Sequence, residues 1–248
     1  MEDLIMQAAK AIKKTNNMIA LTGAGISVES GIPDFRSAGG LWEKYDPAIY
    51  ASIDTFWSQP ERCWDMIFDM LDLTDNAKPN PAHIALAELE EMGHLKAIIT
   101  QNIDNLHQRG GSKNVIEYHG NSVNLVCLKC HAEYSMDEYD KSQRIPPRCK
   151  KCDAILKPSI IFFGEMIPHE AMSRSQLLTD TTDTVLVAGT SAVVYPAAAI
   201  PDIAKRHGAF IIESNLEKTG FTNRITNVFL QGPSGVVLPE LVKAIRSL

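Results

Sequence analysis

Long apolar runs are missing from this 248-residue chain, and nothing approaches the roughly 18 consecutive apolar residues that a membrane-crossing helix needs. The start, Met1 to Lys10, holds two acids and no basic-then-apolar stretch, so it does not read as a signal peptide. Internal repeats, blocks of like charge and flexible linkers are also lacking. Positive charge is in deficit. Lys and Arg number 24 against 30 Asp and Glu, a formal net charge of −6, which argues against bulk attraction to nucleic acid or anionic membrane. Cysteine is scarce, with five residues in all, and four of them fall between positions 127 and 152. A chain of this length buries a sufficient core without disulfides, so those four require another explanation. The expectation is a cytoplasmic protein with no membrane partner and no direct nucleic-acid binding.

What is present is a rhythm. Short apolar runs recur at Met18–Leu21, Ala97–Ile99, Val115–Ile116, Ser159–Phe163, Thr184–Ala188, Phe210–Ile212 and Val228–Leu230. Helical segments lie between several of them. Residues 3–15 place Leu4, Ala8, Ala11 and Ile12 on one face, and Pro81 opens a helix carrying Ala82, Leu86 and Leu89 before Gly93. Residues 196–207 and 238–248 are further helix candidates. Buried strands alternating with helices predict an α/β fold, a doubly wound parallel sheet. Two stretches break the pattern: an aromatic-rich segment over 37–78, and 121–156 with its four cysteines. Both read as insertions into the α/β frame.

The most specific local signal is Cys127-x-x-Cys130 followed, after eighteen residues, by Cys149-x-x-Cys152. Two such pairs match a zinc ribbon, in which four thiolates complete a closed tetrahedron and leave no position for reactive water. Disulfides and a dithiol redox pair are the competing readings, and neither explains two pairs at this spacing. Cys63 stands apart and reads as a buried thiol. Gly23-Ala24-Gly25-Ile26-Ser27 follows the first predicted strand, where backbone amides can approach a phosphate. The third glycine of a dinucleotide fingerprint is replaced by Val28, which disfavours a plain dehydrogenase. The loop Gly31-Ile32-Pro33-Asp34-Phe35-Arg36 then presents a carboxylate, an aromatic ring and a guanidinium in succession. Thr100-Gln101-Asn102-Ile103-Asp104-Asn105-Leu106-His107 ends another strand, and His119-Gly120 ends a third. His119 is a candidate general base. Gly189-Thr190-Ser191 and Asn215 decorate two more strand ends, and ligands of open α/β sheets sit at those carboxyl ends.

Taken together, and in this order, these motifs resemble the sirtuin family of NAD-dependent protein deacylases, in its compact prokaryotic form. The resemblance also rests on Phe162-Phe163-Gly164-Glu165 and spans nearly the whole chain. It implies a Rossmann-like large lobe over 1–36, 80–120 and 157–248, a helical insertion over 37–79 and a zinc module over 121–156. It implies NAD as co-substrate and one structural zinc ion on Cys127, Cys130, Cys149 and Cys152. Implied cofactor contacts are Gly23, Ala24, Gly25, Val28, Asp34, Phe35, Arg36, Gln101, Asn102, Ile103, Asp104, His119, Gly189, Thr190, Ser191, Asn215, Gly232 and Pro233. His119, Asn102, Asp104 and Ser27 are implied as catalytic. Ile161, Phe163, Gly164, Glu165, Val193 and Val194 are implied to hold an acyl-lysine peptide by strand-like pairing.

The implied reaction passes the acyl group to ADP-ribose, yielding nicotinamide, O-acetyl-ADP-ribose and free lysine. Family members that prefer acidic acyl groups carry Tyr and Arg three residues apart in the insertion. The matching positions here are Ile67 and Met70, which implies acetyl and apolar acyl groups over succinyl. A sirtuin-like protein ADP-ribosyltransferase is the alternative, disfavoured by the presence of His119. A zinc-ribbon nucleic-acid module is a weaker one. Residues 127–152 hold six Lys and Arg against four Asp and Glu, but the remainder of the chain is then more acidic still.

Overall fold

A computed structural model of the chain describes residues 1–34 and 40–248. It begins with α1 (Glu2–Lys14) and β1 (Met18–Thr22), followed by four helices, α2 (Leu41–Lys44), α3 (Pro47–Tyr50), α4 (Ile53–Ser58) and α5 (Pro60–Asn76). Next come α6 (Pro81–Glu91), β2 (Leu95–Thr100), α7 (Leu106–Arg109) and β3 (Val115–Glu117). Three short strands, β4 (Asn124–Val126), β5 (Glu133–Ser135) and β6 (Lys157–Pro158), precede α8 (His169–Thr181) and β7 (Thr184–Ala188). The chain closes with α9 (Ile200–Arg206), β8 (Phe210–Asn215), β9 (Val228–Gln231) and α10 (Ser234–Arg246).

Six strands form one parallel sheet in the order β3-β2-β1-β7-β8-β9. Every residue of β1 and of β7 is buried, as a strand covered on both faces requires. On one face Ala82, Leu86 and Leu89 of α6 and Leu238, Leu241 and Ile245 of α10 pack with Ala8, Ala9 and Ile12 of α1. On the other, Ile200 and Ala204 of α9 cover Ile19, Val185 and Ile211. The chain reverses direction across the sheet between β1 and β7, the switch point at which such folds open a crevice. Local chemistry sets the helix boundaries. Asn80 accepts the Ala82 N–H at 2.9 Å, Pro81 occupies the first turn where its missing N–H is harmless, and Gly93 takes a positive φ of 80° just beyond the end.

Two expectations are corrected. The buried stripe of α1 is Ala8, Ala9 and Ile12, with Leu4 40% exposed, because the helix is rotated toward the sheet relative to the predicted face. Residues 159–163 add no strand to the parallel sheet. Their amides turn outward to separate partners, Ile161 N–H to the His119 carbonyl at 2.9 Å and Phe163 N–H to the Ala51 carbonyl at 2.8 Å. A small antiparallel sheet, β5-β4-β6, pairs Lys157 and Pro158 with Val126 and Leu125.

The two insertions share one core. Phe56, Trp64, Ile67, Phe68 and Leu71 of the helical insertion pack with Leu125, Cys127, Met136, Cys149 and Leu156 of the module. The free thiol of Cys63 is buried there too, as expected. The Trp64 indole N–H donates to the Leu156 carbonyl at 2.9 Å. Arg144 reaches Asp69 and Asp72 of α5, and Lys141 reaches Asp75, so charge seals the rim of this contact. Among the described residues no helix is long and apolar enough to cross a membrane.

The shared core makes Trp64→Ala the most informative packing variant. It removes a fully buried indole and strands a carbonyl, and is expected to cost about 3–5 kcal/mol in urea denaturation. A loss below about 1 kcal/mol would contradict a common core.

Candidate active site

At the switch point the loops that follow β1 and β7 interlock. The Gly23 N–H donates to the Ala188 carbonyl at 3.2 Å and the Gly25 N–H to the Gly189 carbonyl at 2.8 Å. A Cβ on Gly25 would sit 2.8 Å from the Gly189 oxygen, and one on Gly189, whose φ is +62°, would sit 2.2 Å from the Ile26 nitrogen. Only glycine permits this approach. The chain then continues as a 3₁₀ helix over Ala24–Ser30, closed by Gly31 in the left-handed region.

Side chains from four strand ends meet above this point. The Gln101 amide donates to the Thr190 hydroxyl at 3.0 Å, and the Asn215 amide donates to the Thr190 carbonyl at 3.0 Å. The Gly232 N–H donates to the Asn215 carbonyl at 3.0 Å, joining the β9 end, with Pro233 beginning α10. Asn102 donates to the Gly23 carbonyl at 3.1 Å and to Ser27 Oγ at 3.2 Å. Ser27 in turn donates to Asp104 Oδ2 at 2.7 Å, and Asp104 Oδ1 accepts the Leu106 N–H at 2.9 Å.

Behind Ser27 lie two buried imidazoles that the sequence reading missed. His83 Nδ1 accepts the Asn80 N–H at 3.2 Å, which leaves its proton on Nε2, 3.5 Å from Ser27 Oγ. Ser27 thereby accepts twice and donates once. His107 Nε2 lies 2.9 Å from Thr22 Oγ1, which donates to Thr100 Oγ1, so the ring nitrogen is the donor. Burial holds His83 well below the usual imidazole range, opposed in part by the Asp104 charge. Burial likewise drives His107 to about 3. The legible signal for His83 was its place three residues after an N-cap asparagine. A helix-capping reading explains that spacing without a site, and nothing in the sequence sets His107 apart from its polar neighbours.

His119 stands at the end of β3, half-buried. Its Nδ1 lies 3.2 Å from the Gln101 carbonyl, which can only accept, so Nδ1 carries the proton and Nε2 is the basic nitrogen. Burial lowers its pKa and the bond to Gln101 partly restores it, which keeps the ring neutral near pH 7.

A cavity lies between these strand ends and the helical insertion. Ala24, Ser27, Asn102, Ile103 and Asp104 line one side, Ile32 and Pro33 the mouth, and Leu41, Met70, Leu73 and Thr74 the other. Met70 is therefore at the cavity, but Ile67 is not. It is fully buried in the small-lobe core. Residues three apart on a helix differ by about 60° around the axis, enough to send Ile67 toward the cysteine module while Met70, Leu73 and Thr74 face the strand ends. Leu41, Leu73 and Thr74 carried no signal, since a mixed apolar helix looks the same on either face. Phe35 and Arg36 lie outside the described residues, and Asp34 is half-buried next to them. Val28 and Ser191 are exposed beside the interlocked loops. Phe163 is 51% exposed and Val193 56%. Neither belongs to a regular strand: Phe163 makes a single bridge to Ser52, and Val193 and Val194 are in a loop after Ala192 at φ 64°.

The four cysteine sulfurs all lie within 4.8 Å of one another. Three of their separations are 3.4–3.5 Å, near the roughly 3.8 Å edge of a tetrahedron with sulfurs about 2.3 Å from its centre. The two pairs are built alike. Cys127 and Cys149 each donate their N–H to the carbonyl five residues on, and His131 and Asp153 follow the second cysteine at φ 58° and 60°. This donor set fits one structural zinc ion.

The sequence model of the Sir2 family matches residues 23–196. An NAD-dependent protein deacylase of Pyrococcus furiosus is 45% identical over 250 residues, covering 99% of each chain. The crystal structure of a Sir2 homologue in complex with NAD is 41% identical, with a TM-score of 0.91 over 97% of this chain and 93% of the other. Sir2Af2 bound to a myristoylated histone peptide is 39% identical, with a TM-score of 0.85 over 100% of this chain and 98% of the other.

Two predictions follow from the buried imidazoles and the cysteine cluster. His107 is neutral in the fold and titrates near 6.5 when unfolded, so its share of stability is complete above pH 6.5 and is lost as pH falls toward 3. By pH 5 that loss reaches about 2 kcal/mol for this one residue. Urea denaturation at pH 7.5 and pH 5 should show it, with a correspondingly smaller loss in His107→Gln. The purified chain should also carry one zinc ion, and stripping it should lower the Tm by at least about 5 °C in calorimetry.

Proposed function

The chain belongs to the Sir2 family, and from that premise we propose that it is an NAD-dependent protein-lysine deacylase with His119 as the general base. The observation that carries the reading is the state of His119. Its Nδ1 proton is committed to the Gln101 carbonyl, which leaves Nε2 free to take a proton at the end of β3. When bound, NAD would supply an electrophilic ribose carbon, to which the acyl oxygen bonds as the bond to nicotinamide breaks. An amide oxygen is a weak nucleophile, so the chain's own task is positioning and charge stabilisation.

In this proposal Gly23, Ala24, Gly25 and Gly189 bring the backbone close to the dinucleotide, and Thr190, Ser191, Asn215, Gly232 and Pro233 follow its adenosine side. Val28, Asp34, Phe35 and Arg36 complete the proposed set. Gln101, Ile103 and Asp104 surround nicotinamide and its ribose. Asp104 keeps lone pairs for the carboxamide after meeting Ser27 and Leu106. Asn102 and Ser27, each already fixed by the other, order the ribose and a water molecule. His119 accepts the proton of a ribose hydroxyl at Nε2 as that oxygen bonds to the acyl carbon; one water is consumed as the bond to the lysine nitrogen breaks, and the products are nicotinamide, O-acetyl-ADP-ribose and deacylated lysine.

The peptide is proposed to lie between residues 161–165 and 193–194, taking its main-chain bonds from both. Acetyl and longer apolar acyl groups should be preferred. Among the described lining residues the insertion offers Leu41, Met70 and Leu73 and no cation to pair with a succinyl carboxylate. The structural relative holding a myristoylated peptide supports room for an apolar chain in this family.

Mass spectrometry of an acetyl-lysine peptide with and without NAD tests the reading. Loss of acetyl without NAD would overturn it. His119→Ala is expected to lower deacetylation by on the order of 10²-fold or more while retaining part of the nicotinamide exchange. Desuccinylation comparable with deacetylation would refute the pocket argument.

A further inference from the structure

The proposed peptide segment ends in Glu165, whose carboxylate is paired with a lysine that the scheme above leaves unused. Lys157 is 2% exposed, an unusual place for an ammonium group. Its Nζ lies 2.8 Å from Glu165 Oε2, donates to the Pro158 carbonyl at 3.2 Å and to the Ile160 carbonyl, and sits 4.4 Å from the centre of the Phe162 ring. All three ammonium protons therefore have acceptors. Glu165 Oε2 also accepts the Phe162 N–H at 2.7 Å. The pair closes residues 157–165 into a ring, reversed at Gly164, where φ is +91°.

The outside of this ring is what reaches the site. Ile161 donates to the His119 carbonyl at 2.9 Å, and the Ser159 carbonyl approaches Gly120 so closely that a Cβ there would be 1.7 Å away. On the opposite side Phe163 exchanges bonds with the Ala51 carbonyl and the Ile53 N–H, at 2.8 and 3.1 Å. One segment thus touches the backbone of the proposed base and the start of α4, and leaves Phe163 half exposed between them.

We propose that Lys157 and Glu165 are positioning residues that fix segment 158–165 for the acyl-lysine peptide, resting on the deacylase reading above. Stability alone does not explain the pair, because a buried ion pair replaced by apolar groups of similar size is often as stable or more so. What an apolar replacement lacks is direction. A methionine fills the space but cannot hold two carbonyls and a carboxylate at fixed angles around one nitrogen.

The test compares wild type, Lys157→Met, Glu165→Gln and the double variant Lys157→Met/Glu165→Leu. Melting temperature and the KM values for an acetyl-lysine peptide and for NAD are measured on each. Each single variant leaves one buried group unpaired and should melt lower. The double variant should melt above both single variants, though below wild type because the Pro158 and Ile160 carbonyls and the Phe162 N–H lose their partners. It should keep a peptide KM raised about tenfold, equivalent to about 1.4 kcal/mol, with the KM for NAD changed less than about twofold. A folded double variant with wild-type peptide KM would overturn the proposal. So would equal rises in both KM values. A double variant that fails to fold would also count against it, since apolar replacement would then not be tolerated as argued. Wild type lacking NAD-dependent deacetylation would instead sink the deacylase reading, and this inference with it.

Discussion

Two loops leaving adjacent parallel strands at the same level collide unless one backbone can enter the other. Here Gly23 and Gly25 after β1 meet Gly189 after β7, with amide-to-carbonyl bonds in place of side chains. Everything at the crevice depends on that contact. It sets the direction of the 3₁₀ segment carrying Ser27, and it brings Thr190 within reach of Gln101 from β2 and Asn215 from β8. Four strand ends are therefore fixed relative to one another by bonds within the protein. The polar groups assigned to the ligand are largely oriented before any ligand arrives, which reduces the entropy that binding must overcome.

The second dependence runs through α5. One side of this helix joins the cysteine module in a common core, and the adjacent side supplies Met70, Leu73 and Thr74 to the cavity. Cys127 and Cys149 belong to the same buried core as the helix that forms the cavity wall. The zinc ion's contribution is mechanical, since four thiolates leave it no open position for chemistry.

The sheet and the zinc ligands were legible because each rests on a local pattern: fully apolar runs, Pro81 and Gly93 at helix ends, and paired CxxC motifs. His119 and the polar run from Thr100 to His107 were legible as strand-end residues. What resisted reading was orientation. Ile67 and Met70 differ only in which way α5 faces, a property set by packing partners more than fifty residues away. His83 and Lys157 were silent for a related reason. A histidine on a helix and a lysine before a proline look solvated in sequence, and only the surrounding chain makes them buried and paired. The run 159–163 misled because an apolar stretch signals burial more reliably than it signals strand.

The shortness of β3 has a consequence beyond the site. With three residues it forms one edge of the parallel sheet, and β9, with four, forms the other. An edge strand offers unpaired amides and carbonyls to any extended segment of another molecule, and the attraction grows with its length. Beyond β3 the chain turns through His119 and Gly120, where the His119 carbonyl accepts the Ile161 N–H and the Ser159 carbonyl packs against Gly120. The edge beside the proposed base therefore offers an incoming strand only three residues of backbone to pair with.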